Sequence, residues 1–511
     1  MSQNRWTEAQ KQAIEGSGGG ILVSAAAGSG KTAVLVERVV ELLTRREEPV
    51  DADRLLVVTF SNAAAREMKQ RIAKRLWELS QQEPGNTRLA RQQLLLESAQ
   101  ISTIHSFCST LIRGYFQYLR LPAEFRIGEE RELEVLRMRV IQELIEEEYQ
   151  SGEEQFFDLV ELLSTARSDR GLEQNILKLY DFVRNHPFYE EWMEKVLREY
   201  DSEKPLGETQ WAAILLGYAK DGVDYCLELN GKALEEMAGD SEMEKAYLTA
   251  FLGDRERLED CRRLLAAGDW DACCQSFSGF VFGKLGALSN KKYPDQGKKE
   301  LVKGLRDEVK EIVKEKLQKG CFFMDSSGYR RDMEYQRPMI EKLFQLVGRF
   351  GRKLEEVKLE RGMLDFGDLE HYALALLYQK DETGQRRPSP VAKETARRYY
   401  EVLVDEYQDT NAAQEMIFQA VSRQGKNLFM VGDVKQSIYR FRQARPEIFL
   451  GKKTAFVPYD GKNFPAKIAL SANFRTRRET PGLITDFFAA PLCPAIGEML
   501  YGEEDRLLSH A

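Results

Sequence analysis

The chain has 511 residues, 43% of them hydrophobic and 31% charged, and a formal net charge of −8. That length suits two or more domains, and the composition is ordinary for a soluble globular protein. The acidic balance excludes a histone-like coat for nucleic acid, while leaving room for a groove with local positive charge.

The N-terminus is polar and no apolar run reaches membrane length, so neither signal peptide nor membrane span is expected. Seven cysteines show no Cys-x-x-Cys or Cys/His metal spacing. Reduced thiols in a cytoplasmic protein are the expectation.

Trp6-Thr7-Glu8-Ala9-Gln10 begins the patterned part of the chain. Thr7 can cap a short helix with Gln10 as its capping-box partner. The Gln10 amide can alternatively read the edge of an adenine. Glycines at 16 and 18–20 then lead into the apolar run Ile21-Leu22-Val23, short enough for a buried strand.

Ala25-Ala26-Ala27-Gly28-Ser29-Gly30-Lys31-Thr32 follows, ahead of the helical pattern Ala33–Leu43. Strand, Gly-rich loop and helix form the context of a phosphate-binding loop. Loop N–H groups and the helix N-terminus would face the phosphates of a nucleotide. Lys31 would neutralise the β- and γ-phosphates, and the Thr32 hydroxyl would ligate Mg²⁺. The loop departs from G-x-x-x-x-G-K-[ST] at Ala25, where alanine restricts the backbone to helical or extended angles.

A second strand fits Leu55–Thr59, followed by Phe60-Ser61-Asn62 and a basic helix from about Ala63 to Trp77. A third fits Ile101-Ser102-Thr103, followed by His105. From Glu129 to about Arg361, long charged helices replace strand patterns. Lysines between Lys284 and Lys319 read as a solvated helix face, with a duplex-backbone contact as the alternative.

Strand patterns return at Tyr400–Asp405, Leu428–Asp433 and Ile468–Leu470. Strands interleaved with helices point to a parallel sheet with its ligands at the C-terminal strand ends. Asp405 suits Mg²⁺ as a hard oxygen ligand, and Glu406 suits the base that orients and deprotonates an attacking water. Gln436 can sense a γ-phosphate. Tyr439 and Phe441 alternate with Arg440 and Arg442, as base stacking between phosphate contacts requires. Arg475, in Asn473-Phe474-Arg475, suits an arginine finger.

Together, Gln10, Ala25–Thr32, Thr59–Ala64, Thr103–Phe107, Asp405–Asp409, Gly432–Arg442 and Asn473–Arg475 resemble the ordered motifs of UvrD-like superfamily 1 helicases. Ala25-Ala26, the stretch Leu364–His371 and the long separation of Lys31 from Asp405 resemble the AddA-type helicase–nuclease branch.

The resemblance implies a RecA-like P-loop NTPase sheet interrupted by a large helical insertion, with the start of a second RecA-like lobe. The expected domains are 1–128 and 362–460 for the first lobe, 129–361 for the insertion and 461–511 for a truncated second lobe. The chain is accordingly expected to be a fragment of a longer protein. The resemblance also implies an ATP- and Mg²⁺-dependent motor moving 3′ to 5′ on single-stranded DNA in recombinational break repair, with an AddB-type partner subunit. It assigns adenine to Gln10 and a DNA track to Phe60, Asn62, His105, Tyr439, Phe441 and Arg442. A stand-alone helicase of the same family and a non-motor ATP-binding interaction module are the rival expectations.

Overall fold

The computed structural model describes residues 6–44, 49–119, 121–122, 124–164, 168–201, 206–289, 293–440, 443–474, 487 and 508–509. Its frame is a seven-stranded sheet. The strands are β1 (Ile21–Ala25), β2 (Leu55–Thr59), β3 (Gln100–Thr103), β4 (Glu401–Val404), β5 (Leu428–Gly432), β6 (Val457–Pro458) and β7 (Ala466–Leu470). Their order is β6-β7-β1-β5-β4-β2-β3, and every neighbouring pair is parallel.

All residues of β2, β4 and β5 are buried, as expected of parallel strands covered on both faces. Side chains alternate between two apolar layers. Leu22, Leu56, Val58, Val402 and Met430 join one layer with Phe107, Leu374 and Phe418. Val23, Val57, Leu403, Val431 and Ile468 join the other with Val34, Leu35 and Met68. The parallel α/β sheet expected from the strand patterns is therefore the observed fold.

The helix after β2 runs Asn62–Gln82, beyond the expected end at Trp77, because Leu76 and Leu79 stay buried. Its N-terminus is capped by Ser61 Oγ, which accepts from Ala64 N at 3.1 Å.

The expected boundary at 461 falls inside this sheet rather than at the start of a separate lobe. Residues 466–470 pair in register with β1, from Ile21 opposite Ala466 to Ala25 opposite Leu470. The alternating burial of β7 suits an inserted strand, not the opening of another layer.

The chain divides into two compact units. One comprises 1–147, 173–189 and 347–511; the other comprises 148–172 and 190–346. The second is helical, led by Gln210–Met237 and Ser241–Ala267. Its core includes Cys226, Cys261, Cys273 and Cys321 among aromatic and aliphatic side chains. Within it, Arg306 Nε donates to Asp254 Oδ2 at 2.8 Å, with both side chains buried. Lysines of the 284–319 stretch pair with acids of the same unit: Lys298 with Asp240, Lys310 with Asp307, and Lys319 with Glu315. Lys299 is buried and donates to the Leu288 carbonyl at 2.7 Å. Lys291 and Lys292 lie outside the described residues.

Candidate active site

The loop after β1 turns tightly at two left-handed positions, Gly28 (φ 77°) and Gly30 (φ 82°). A side chain at either would be strained. Ala25 ends the strand with extended backbone, so the missing glycine there removes nothing this turn uses. Ser29 N donates to Ala26 O at 3.1 Å, and Val34 N to Gly30 O at 2.9 Å. The last strand clasps the loop. Phe474 N donates to Gly28 O at 3.0 Å, and Asn473 Nδ2 to Ala27 O at 2.8 Å.

Gln10 lies beneath this turn. Its Oε1 accepts from Thr7 N at 2.9 Å, completing a capping box. Its Nε2 donates to Ser29 O at 2.9 Å. The capping alternative is thus present, and the amide is also anchored to the phosphate loop.

Lys31 and Thr32 open the helix Lys31–Thr44. The Lys31 ammonium crosses to the ends of β4 and β5. It lies 3.3 Å from Glu406 Oε2 and 2.9 Å from Gln436 Oε1. Residues almost the whole chain apart therefore meet, because β1, β5 and β4 are consecutive in the sheet.

Asp405 and Glu406 follow β4 directly. Glu406 occupies the left-handed region (φ 51°), which costs a non-glycine residue about 1–2 kcal/mol. Its N–H donates to Asp405 Oδ1 at 3.0 Å. Burial, with the neighbouring Glu406 carboxylate, pushes the Asp405 carboxyl up to about 6. Burial likewise pushes Asp409 up to about 6.

Thr32, Asp405, Glu406, Asp409 and Gln436 line one cavity of about 420 Å³ with Phe60 and Tyr439. A cationic loop facing desolvated carboxylates can hold a polyanion together with a divalent cation. One further observation fits a phosphate ligand. Ser29 Oγ is buried in the loop and meets no hydrogen-bond partner among the described residues.

The rings of Phe60 and Tyr439 sit 4.6 Å apart, tilted by 33°. Asn62 is exposed at the start of its helix and does not line this cavity. His105 is also absent from that lining. It meets Phe366, with ring centroids 4.7 Å apart, and its Nε2 is 3.1 Å from Glu370 Oε1. Burial alone would raise the Glu370 carboxyl, but bonds from His105, Gln414 and Asn411 outweigh it and hold the group below the usual carboxylate range. Phe441, Arg442 and Arg475 lie outside the described residues.

Two groups escaped the motif reading. Gln408 bonds Glu406 and the Asp433 backbone, and Glu370 anchors His105. For Gln408 the available signal was its place two residues after Glu406. Glu370 offered only an acid in an otherwise apolar helix.

The sequence pattern of the UvrD/REP helicase N-terminal domain matches residues 6–251 and 284–457. Curated relatives named as the A-type subunit of an ATP-dependent helicase/nuclease align with 99% of this chain. The identity is 43% for the protein of Geobacillus kaustophilus, 40% for that of Bacillus cytotoxicus and 39% for that of Acetivibrio thermocellus. In each case the chain spans 41% of the relative's length.

Proposed function

The chain belongs to the UvrD/REP helicase family, and on that premise we propose that its sheet unit hydrolyses ATP to drive movement on DNA. The observation that carries this reading is the meeting of Lys31 with Glu406 and Gln436, at 3.3 and 2.9 Å, beside a cavity that also holds Thr32 and Asp405.

In this reading the Ala25–Thr32 loop cradles the phosphates, and Lys31 leaves its carboxylate and amide partners for the β- and γ-phosphate oxygens. The Thr32 hydroxyl and the Asp405 carboxylate would hold Mg²⁺, which supplies charge neutralisation at those oxygens when bound. Glu406 accepts the proton of a water whose oxygen bonds to the γ-phosphorus. The bridging P–O bond then breaks and its electron pair leaves with ADP. Gln436 senses the γ-phosphate, and Arg475 stabilises charge as that bond breaks. Gln10 borders the adenine.

Phe60 and Tyr439 supply ring faces for bases. Asn62, His105, Phe441 and Arg442 complete a track for single-stranded DNA. The relatives' name favours an AddA-type subunit that moves 3′ to 5′, works in the cytoplasm with an AddB-type partner and serves recombinational repair.

ATP turnover with and without single-stranded DNA tests the reading. Stimulation by DNA is expected. Nucleotide binding without any stimulation would favour a non-motor binding module. Lys31→Ala should abolish hydrolysis. Glu406→Gln should bind ATP normally but fail to turn it over, and a Glu406→Gln chain with wild-type turnover removes Glu406 as the base.

A further inference from the structure

The hydrogen bonds around Lys31 close into a ring, and one member has no role in the scheme above. Gln408 is 1% exposed. Its Nε2 donates to Glu406 Oε2 at 2.9 Å and to Asp409 Oδ2 at 3.1 Å. Its Oε1 accepts from the Asp433 N–H at 2.9 Å. Asp433 Oδ2 accepts from Gln436 Nε2 at 3.1 Å. Gln436 Oε1 and Glu406 Oε2 both accept from Lys31 Nζ, which completes the circuit.

Gly432 makes room for this amide. A Cβ there would collide with Gln408 Oε1 and crowd Phe449. The glycine's backbone is not left-handed, so close approach rather than turn geometry explains it.

We infer that Gln408 is a positioning residue that aims the Glu406 carboxylate and ties that aim to the Gly432–Gln436 turn. The inference rests on the ATP-hydrolysing reading. Lys31 and Gln408 are the two side-chain donors to Glu406 Oε2 among the described residues. Once Lys31 turns to a phosphate, Gln408 alone of these holds the carboxylate oriented.

The other end of the same amide holds Asp433, at the start of the turn that leads to Tyr439. The Tyr439 ring meets Phe60. A base seated on these rings therefore acts on the water-orienting carboxylate through one buried amide. Two arrangements of that turn would give two aims of Glu406, which is what coupling between the sites requires.

The test uses the full chain, measuring steady-state ATP hydrolysis with and without an oligo-dT strand. Gln408→Glu keeps an acceptor for the Asp433 N–H but removes both donated bonds. Gly432→Ala displaces the amide without changing it. Each is expected to lower DNA-stimulated kcat by about 10- to 100-fold, with KM for ATP and the melting temperature close to wild type. Combining either with Glu406→Gln should add no further loss, since both act on one group. Three results would overturn the inference: stimulated kcat near wild type in both variants, KM rising in step with lost kcat, or losses that multiply in the combined chain. A Lys31→Ala chain that still turns over ATP sinks the functional reading itself. An inactive Lys31→Ala beside a fully active Gln408→Glu sinks only the role of Gln408.

Discussion

Asp405 shows how one residue sets the working pH. Its carboxyl sits near 6 because burial penalises the charge. Ordinary aspartate lies near 3.9, so the folded chain binds the extra proton between about pH 4 and 6. Two consequences run in opposite directions. This group's contribution to stability falls as pH rises through that window. Its capacity to hold a cation rises, because a cation requires the carboxylate. We expect Mg²⁺-dependent ATP turnover to drop below about pH 6, and the acid limb to move lower as Mg²⁺ is increased. Initial rates across pH at two Mg²⁺ concentrations check this, and a limb insensitive to Mg²⁺ would point to a different group. The motif identified Lys31 and Asp405 because strand, turn and helix signals are local. It was silent on Gln408 and Glu370, whose partners come from other strands and helices and leave no periodic trace.

Two features belong to elements. The first is the Phe60–Tyr439 ring pair, where the ends of β2 and β5 lead to one cavity. Tyr439→Ala should weaken single-strand binding by about 1–3 kcal/mol if the ring stacks a base. Fluorescence anisotropy with labelled oligo-dT reads this directly, and unchanged affinity makes the ring a packing group.

The second is the buried charge cluster that opens the helix Phe366–Leu377. Asp365 caps it in a capping box with Asp368. Lys358 Nζ donates to both carboxylates at 2.6 Å, and Arg184 Nη2 reaches Asp368 Oδ1 at 2.9 Å. Lys358→Ala leaves two acids short of a counter-charge and should cost about 3–5 kcal/mol. Urea unfolding measures it, and a loss under 1 kcal/mol would mean water replaces the ammonium.

The central strands were legible because strands buried on both faces read as continuous Val/Ile/Leu runs. β6 was not, since two exposed residues at a sheet edge, one a proline, carry no such run. The join of β7 to β1 was hidden for another reason. Strand pairing across hundreds of residues is decided by the assembled layers, not by local pattern.

At the scale of the molecule, the two units have separate apolar cores. Nucleotide should stabilise only the unit that carries the Ala25–Thr32 loop. Saturation at a hundredfold over Kd is worth about 2.7 kcal/mol there. Hydrogen exchange should show added protection in the sheet and none in the Gln210–Met237 and Ser241–Ala267 helices, and equal protection in both would refute the separation. The net charge of −8 adds that nucleic-acid affinity must come from a confined track rather than from the whole surface.

The clasp of Asn473 on the Ala27 carbonyl spans 446 positions of sequence. A ribosome adding roughly 5–20 residues per second needs about 20–90 s to bridge that gap. Throughout that interval β1 has emerged but lacks both flanking neighbours, β5 and β7, and its bare edges are exposed to other nascent chains. The newborn polypeptide thus carries its most apolar ribbon unshielded for much of its synthesis, which makes this strand the place for a holding chaperone to engage.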